Sequence, residues 1–398
     1  MGAEPSPVSR RAFLKTIGGS AALIAVGATG GLTWRAVDQG VFSAGQGPAY
    51  DAWRVWDNRA GGEALGLVRA AVLAASAHNS QPWLFRLSAD SVELYADTAR
   101  NIGTMDPLRR EMYISLGCAL ENLLVAAEAR GVAATLHLVP DPKDHTFVAR
   151  VDLAPAPSKP SALYEAIPKR HTNRGAYAAR AIPQKSLNTM RTLINTPDVD
   201  VVWYTSDARK RAFSDLTLSA THAIIADREQ AADDFAWYRG DWRQLQARKD
   251  GLTLDTSGVS PLTRAAGKLL GVSQTQSDQG WLTSTRETQL PASSAFGVVV
   301  VSQPANNAHR IEAGRAWQRM QLWATSRGLA MQPLNQIVER ADRELASGLR
   351  GEFTDGIAAM MPDAGWHAVM PFRVGYPTME ALANPRRPAE EVLVRGSP

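Results

Sequence analysis

Apolar positions from residue 62 onward follow two periods, one of about 3.6 and one of about 2, and the two alternate along the chain. In residues 63–76, Leu65, Leu67, Val68, Val72 and Leu73 recur at helical spacing. Residues 83–95 alternate apolar with polar and carry a turn signal at Ser88-Ala89-Asp90, which predicts two paired strands. Residues 111–130 are apolar on every side, so the pattern predicts a long helix buried all round. Gly131 follows where a left-handed stop belongs. Strands are expected over 134–139 and 146–153, and the stiff Ala-Pro-Ala-Pro-Ser-Lys-Pro at 154–160 reads as a linker and midpoint. Helices are expected next over 161–169 and 184–193, then a strand over 198–204 and helical pattern over 206–247. The stretch 250–292 is rich in Gly, Ser, Thr and Gln and reads as part of an insertion or lid covering about 206–292. A strong strand at 296–302, a long helix at 305–327 stopped by Gly328, and a strand at 372–376 complete the pattern.

The two long helices carry a weak internal repeat. Residues 117–133 align without gaps with 314–330, matching at Gly117/Gly314, Ala119/Ala316, Ala127/Ala324, Arg130/Arg327, Gly131/Gly328 and Ala133/Ala330. Ala-rich helices share some residues by composition alone, but both copies also share a helix, glycine, strand order. This favours a duplication, with one half at 62–153 and the other at 161–398.

Composition narrows the classes. At 45% hydrophobic and 21% charged, the 398 residues exclude a disordered chain, a polytopic membrane protein and a collagen-like fibre. A single cysteine, Cys118, excludes an intramolecular disulfide, an iron–sulfur cluster and a Cys-rich zinc site. The 43 basic and 39 acidic residues leave a net charge of +4, which is a mixed surface with no case for nucleic acid. The histidines show no metal-like spacing. At the N-terminus, Ser9-Arg10-Arg11-Ala12-Phe13-Leu14-Lys15 and the Gly- and Ala-rich apolar run at 17–32 resemble a twin-arginine (Tat) signal. Residues 1–44 then read as an address and 45–61 as a linker. That address implies the Tat export machinery as a partner and a place in the periplasm or on the outer face of the cytoplasmic membrane. The protein would be free there or tethered by an uncleaved signal.

Two segments carry candidate chemistry. Ser76-Ala77-His78-Asn79-Ser80-Gln81-Pro82-Trp83 lies between a helix and a strand. Its short hydrogen-bonding side chains suit the polar edge of a bound heterocycle, and equally a turn that caps a strand with Trp83 in the core. Lys169-Arg170-His171-Thr172-Asn173-Arg174 places two guanidinium groups and a hydroxyl within five residues. That suits a phosphate, and equally a solvated basic helix end.

Taken together, these segments resemble the nitroreductase family of FMN proteins, in the order found in its tandem, Acg-like branch. Asp106-Pro107 with Arg109-Arg110-Glu111, and Arg373-Val374-Gly375-Tyr376-Pro377 running into Arg386-Arg387-Pro388, extend the resemblance over residues 62–395. It implies an α+β fold of two fused halves, a pseudo-dimer with mixed sheets packed on long buried helices, and one FMN site shared between the halves. For that site it implies Arg170, Thr172, Arg174 and Arg386 from the second half, and Ser76, Asn79 and Gln81 from the first. Gln332, Pro333 and Leu334 stand where the family's backbone passes the flavin ring. No second loop of this kind is present: Ile194-Asn195-Thr196-Pro197 falls where it would be. The implied activity is an FMN-dependent two-electron reduction of a small aromatic or quinone-like acceptor by a monomer, with no dedicated catalytic side chain. The alternative is an FMN-holding protein whose lid at 233–292 denies entry to substrate.

Overall fold

A computed structural model describes residues 29–139 and 143–394, so the arginine pair at Arg10-Arg11 and most of its apolar run lie outside the described residues. The chain opens with α1 (Thr29–Asp38) and α2 (Glu63–Ala71), and then forms β1 (Trp83–Leu87) and β2 (Ser91–Ala96) around the short turn. After α3 (Arg110–Arg130), β3 (Val132–Leu138) and β4 (Phe147–Pro155) complete an antiparallel sheet of order β1-β2-β4-β3.

The second half opens with short helices at Ala162–Ala166 and Gln184–Thr192, forms β5 (Val199–Tyr204), and enters five helices: α4 (Asp207–Ala226), α5 (Arg228–Phe235), α6 (Trp242–Arg248), α7 (Pro261–Leu270) and α8 (Gln274–Ser284). It then forms β6 (Ala295–Val301), α9 (Asn307–Ser326), β7 (Ala330–Pro333), α10 (Gln336–Ser347) and β8 (His367–Gly375). These strands make an antiparallel sheet of order β5-β6-β8-β7. Each half is thus hairpin, helix, hairpin with one strand order, and the five-helix insertion replaces the β1–β2 turn of the first half. A parallel bridge from Phe85 to Leu393 brings the C-terminal segment to the edge of β1 and makes that sheet mixed.

The repeat has a physical centre. α3 and α9 cross at Gly117 and Gly314, the first matched pair. A Cβ built on Gly117 would lie against the Ile311 carbonyl oxygen and 3.0 Å from the Gly314 Cα. A Cβ on Gly314 would meet the Ile114 carbonyl oxygen and lie 3.0 Å from the Gly117 Cα. Since 114 matches 311 in the same alignment, the contact is two-fold symmetric. One continuous apolar core surrounds the crossing and takes residues from both halves, among them Trp83, Leu116, Trp317 and Phe372.

The start of α3 is fixed by Asp106, whose carboxylate accepts from the backbone N–H of Glu111 (3.0 Å) and Met112 (2.9 Å). Gly131 ends the helix at φ 81°. The insertion is fastened to the first half. Thr104 donates from its backbone (2.7 Å) and its hydroxyl (2.6 Å) to Asp233, and Gln230 donates to the Thr104 carbonyl at 3.1 Å. Part of the expected N-terminal address also packs on the insertion: Arg35 donates to the Leu269 carbonyl at 2.6 Å, and Arg243 pairs with Asp38 at 2.7 Å.

Candidate functional site

Residues 77–82 form a turn that local sequence preference does not favour. His78 (φ 46°), Asn79 (φ 54°) and Gln81 (φ 54°) all take left-handed backbone, which costs most residues free energy and persists only where surroundings impose it. Asn79 donates to the carbonyls of Gly251 (3.2 Å) and Pro385 (3.0 Å). Gln81 donates to the Lys249 carbonyl at 2.8 Å and accepts from the backbone N–H of Arg387 at 2.8 Å. The amides of this loop therefore hold the insertion and the C-terminal segment in place.

Beside the turn lies an open cleft of about 880 Å³, including the solvent at its mouth. Five of the residues expected in a site line it: Ser76 from the first half, and Thr172, Arg174, Gln332 and Pro333 from the second. Five do not. Asn79 and Gln81 are turned into the protein by the bonds above. Leu334 packs in an apolar cluster under the second sheet. Arg170 and Arg386 are buried to 1% exposure behind the cleft.

Those two arginines have an unusual environment. Arg170 donates to Gln321 Oε1 (3.1 Å) and the Leu73 carbonyl (3.0 Å), and its Nε has no partner. Arg386 donates to the Ala74 carbonyl (3.0 Å) and to Asn79 Oδ1, and its Nε also has no partner. Neither forms an ion pair among the described residues. Burial, reinforced for Arg386 by the charge of Arg170, holds both guanidinium pKa values below the usual range, Arg170 at about 10. His171 sits beside them edge-on to Trp53 at 4.7 Å. Burial and the two arginines push its pKa down to about 3, so its ring is neutral and its Nδ1 has no partner. An uncompensated buried charge is expensive, and two together call for an anion.

The far wall carries groups to which the sequence assigned no role in the site. Glu111 and Glu339 line the cleft, as do His78 and Asp234, which meet at 2.6 Å. Asp234, Leu252 and Trp281 all come from the insertion and wall the cleft from that side. The aromatic run at 235–242 packs elsewhere: Phe235 stacks on Tyr238 at 5.5 Å and Trp242 faces Lys268. Trp317 Nε1, Asn335 Oδ1 and Gln336 Oε1 belong to lining residues and are buried without a partner. On the opposite side of the helix crossing, near Asn195 and Thr196, Glu121 is buried against Arg315 (3.1 Å) and Arg319 (2.5 Å). Protein ion pairs occupy that position.

The His78–Asp234 contact ties the turn to the insertion and depends on pH. Burial disfavours the imidazolium, but the hydrogen bond and charge of Asp234, helped by Glu111 and opposed by Arg174, outweigh it and raise the pKa. The charged pair is therefore fully present below about pH 6.5 and is lost as pH rises through the higher folded value. An NMR titration is expected to place the His78 transition above about 6.5 in the native protein. In Asp234→Asn, where burial dominates, it is expected to fall below that value. An unchanged midpoint would refute the assignment.

No family model matches the chain. Two Mycobacterium tuberculosis proteins provisionally named NAD(P)H nitroreductases are similar to it over most of its length. Rv3131 is 28% identical over 327 residues, spanning 81% of this chain and 87% of its own. The protein acg is 28% identical over 345 residues, spanning 82% and 93%. Among solved structures, the FMN-dependent nitroreductase NfnB of Mycobacterium smegmatis, in complex with NADPH, covers 60% of this chain and 98% of its own at 18% identity. Its TM-score is 0.35. The relatives overturn the expectation of export to the periplasm or the outer face of the cytoplasmic membrane. They are named for NAD(P)H, and that reductant pool is cytoplasmic.

Proposed function

We propose that the chain is an FMN-binding, nitroreductase-like oxidoreductase that reduces a small aromatic or quinone-like acceptor by two electrons. The observation that carries this reading is the pair of buried arginines, Arg170 and Arg386, with unpartnered Nε atoms and, among the described residues, no carboxylate paired with either. Their chemistry fits the phosphate of FMN, since guanidinium groups match its oxygens and the anion would neutralise both charges. Thr172, Arg174 and Ser76 would hold the remainder of the cofactor along the cleft, with Gln332 and Pro333 on the wall supplied by β7. Asn79 and Gln81 would act one step back, by positioning the turn and the Arg386 side chain. Bound FMN supplies the redox chemistry. The protein orients it, excludes water and sets the charge around it. Ser76 and Arg174 come from different halves and meet in one cleft, so a monomer would be complete. The ion pairs around Glu121 favour one flavin per chain. NAD(P)H, for which the relatives are named, is the proposed donor.

The walling of the cleft by Asp234, Leu252 and Trp281 favours a second reading, an FMN-holding protein with little turnover. Adding NAD(P)H anaerobically to the purified yellow protein separates the two. Bleaching is the result expected of the oxidoreductase. Bleaching with dithionite alone would favour the holder. A colourless protein that FMN cannot reconstitute would refute both.

A further inference from the structure

Glu339 enters the cleft from α10 and is 5% exposed. The Glu111 carboxyl, itself 4% exposed, lines the same cleft and acts on it. The two are not equivalent. Glu111 accepts from Arg110 Nη2 at 3.2 Å, and Arg110 also holds Asp342 at 2.7 Å. Glu339 has no ion pair among the described residues. Two neighbouring buried carboxylates resist carrying charge together, and Glu339 is the one with no arginine against it, which favours the proton there. Burial first and the Glu111 charge second raise the Glu339 pKa well above the usual range, and the opposing charge of Arg110 does not cancel them.

The other charged groups facing this pair are consistent with that division. Asp106, in front of α3, and Asp234, on the insertion, are acidic, and Asp234 adds to the upward pressure on Glu339. His78 and Arg174 line the same cleft. Two independent features point to a ligand here. Gln336 is 3% exposed and stands one turn before Glu339, and its Oε1 faces the cleft wall without a partner. Trp317 is fully buried, lines the same cleft, and its Nε1–H has no acceptor. A polar molecule in the cleft would meet one unused donor, one unused acceptor and a neutral carboxyl.

We propose that Glu339 is the proton donor of the cleft and that it protonates the oxygen of the electron acceptor as the acceptor is reduced. This inference rests on the proposed FMN oxidoreductase reading. For a quinone the balance is complete. Bound reduced FMN would supply the hydride with its electron pair. The proton leaves the Glu339 Oε–H bond for the quinone oxygen, and hydroquinone departs. The Glu339 carboxylate then takes a proton back from water. Glu111 holds the proton on Glu339 between turnovers.

Infrared spectroscopy of the flavin-free protein tests the protonation without any turnover. At pH 7 a protonated-carboxyl C=O band that shifts in heavy water is expected. It should disappear in Glu339→Gln and titrate at lower pH in Glu111→Gln, where the charge that holds the proton is gone. A band that survives Glu339→Gln, or no band in the native protein, would overturn the proposal. The second arm uses FMN-loaded protein reduced with dithionite and reoxidised by 1,4-benzoquinone. The native rate should fall as pH rises through the Glu339 transition. The rate of Glu339→Gln should be about 10²-fold lower and flat with pH. Equal rates and equal pH profiles at equal flavin content would overturn it. Absence of flavin binding by the native protein would instead refute the FMN reading, and the infrared result would still decide the state of Glu339.

Discussion

Gly314→Val is expected to destabilise the protein by about 3 kcal/mol or more, at the upper end of what overpacking costs. The added side chain would be driven into the Ile114 carbonyl and the Gly117 backbone, neither of which is a flexible tip that can swing aside. Gly117→Val should behave in the same way, because the crossing is two-fold symmetric. In thermal unfolding the expected loss is roughly 3–4 °C or more for each. Gly280→Ala is the matching control. It lies in α8 with nothing within 4 Å of a built Cβ, so relief of backbone entropy is expected to leave it neutral or about 0.5 kcal/mol more stable. If Gly314→Val melts with the native protein, the close helix crossing is not the centre of the fold.

Arg170→Ala and Arg386→Ala are each expected to weaken FMN binding by about 10- to 100-fold. That corresponds to the roughly 1.5–3 kcal/mol of a hydrogen bond to a charged group. Riboflavin, which lacks the phosphate, should bind all three proteins alike. Equilibrium titration by flavin fluorescence reads both quantities. Arg174→Ala offers a contrast, since its guanidinium lines the cleft and donates to the Thr256 carbonyl at 3.3 Å. It should weaken FMN and riboflavin to a similar degree. Equal FMN affinity in Arg170→Ala and the native protein would remove the phosphate assignment.

The long helices and the duplication were legible because their signals are periodic and strong. The apolar run behind α3, the stop at Gly131 and the gapless match of 117–133 with 314–330 all reappear, and the first matched glycine pair marks the crossing itself. The helices of the insertion were harder to read. α7 and α8 are short, and their starts are set by local caps at Ser260 and at Ser273 with Gln276, inside a stretch whose composition reads as loop. The candidate site was half legible. Residue type and order marked the loop at 76–82 and the basic segment at 170–174. The left-handed backbone at Asn79 and Gln81, which turns their amides away from the cleft, leaves no mark in a pattern of side-chain types. Glu111 and Glu339 stand far apart in the chain, and each reads as a polar position on its own helix. Their pairing exists only because α10 packs back toward the start of α3.

The most direct test of the central claim is a titration of flavin-free protein with FMN and with riboflavin side by side. Saturation at one FMN per chain is expected, with riboflavin bound at least about 100-fold more weakly because it cannot neutralise Arg170 and Arg386. No binding, or equal affinity for the two flavins, would contradict a cofactor site built around the buried arginines.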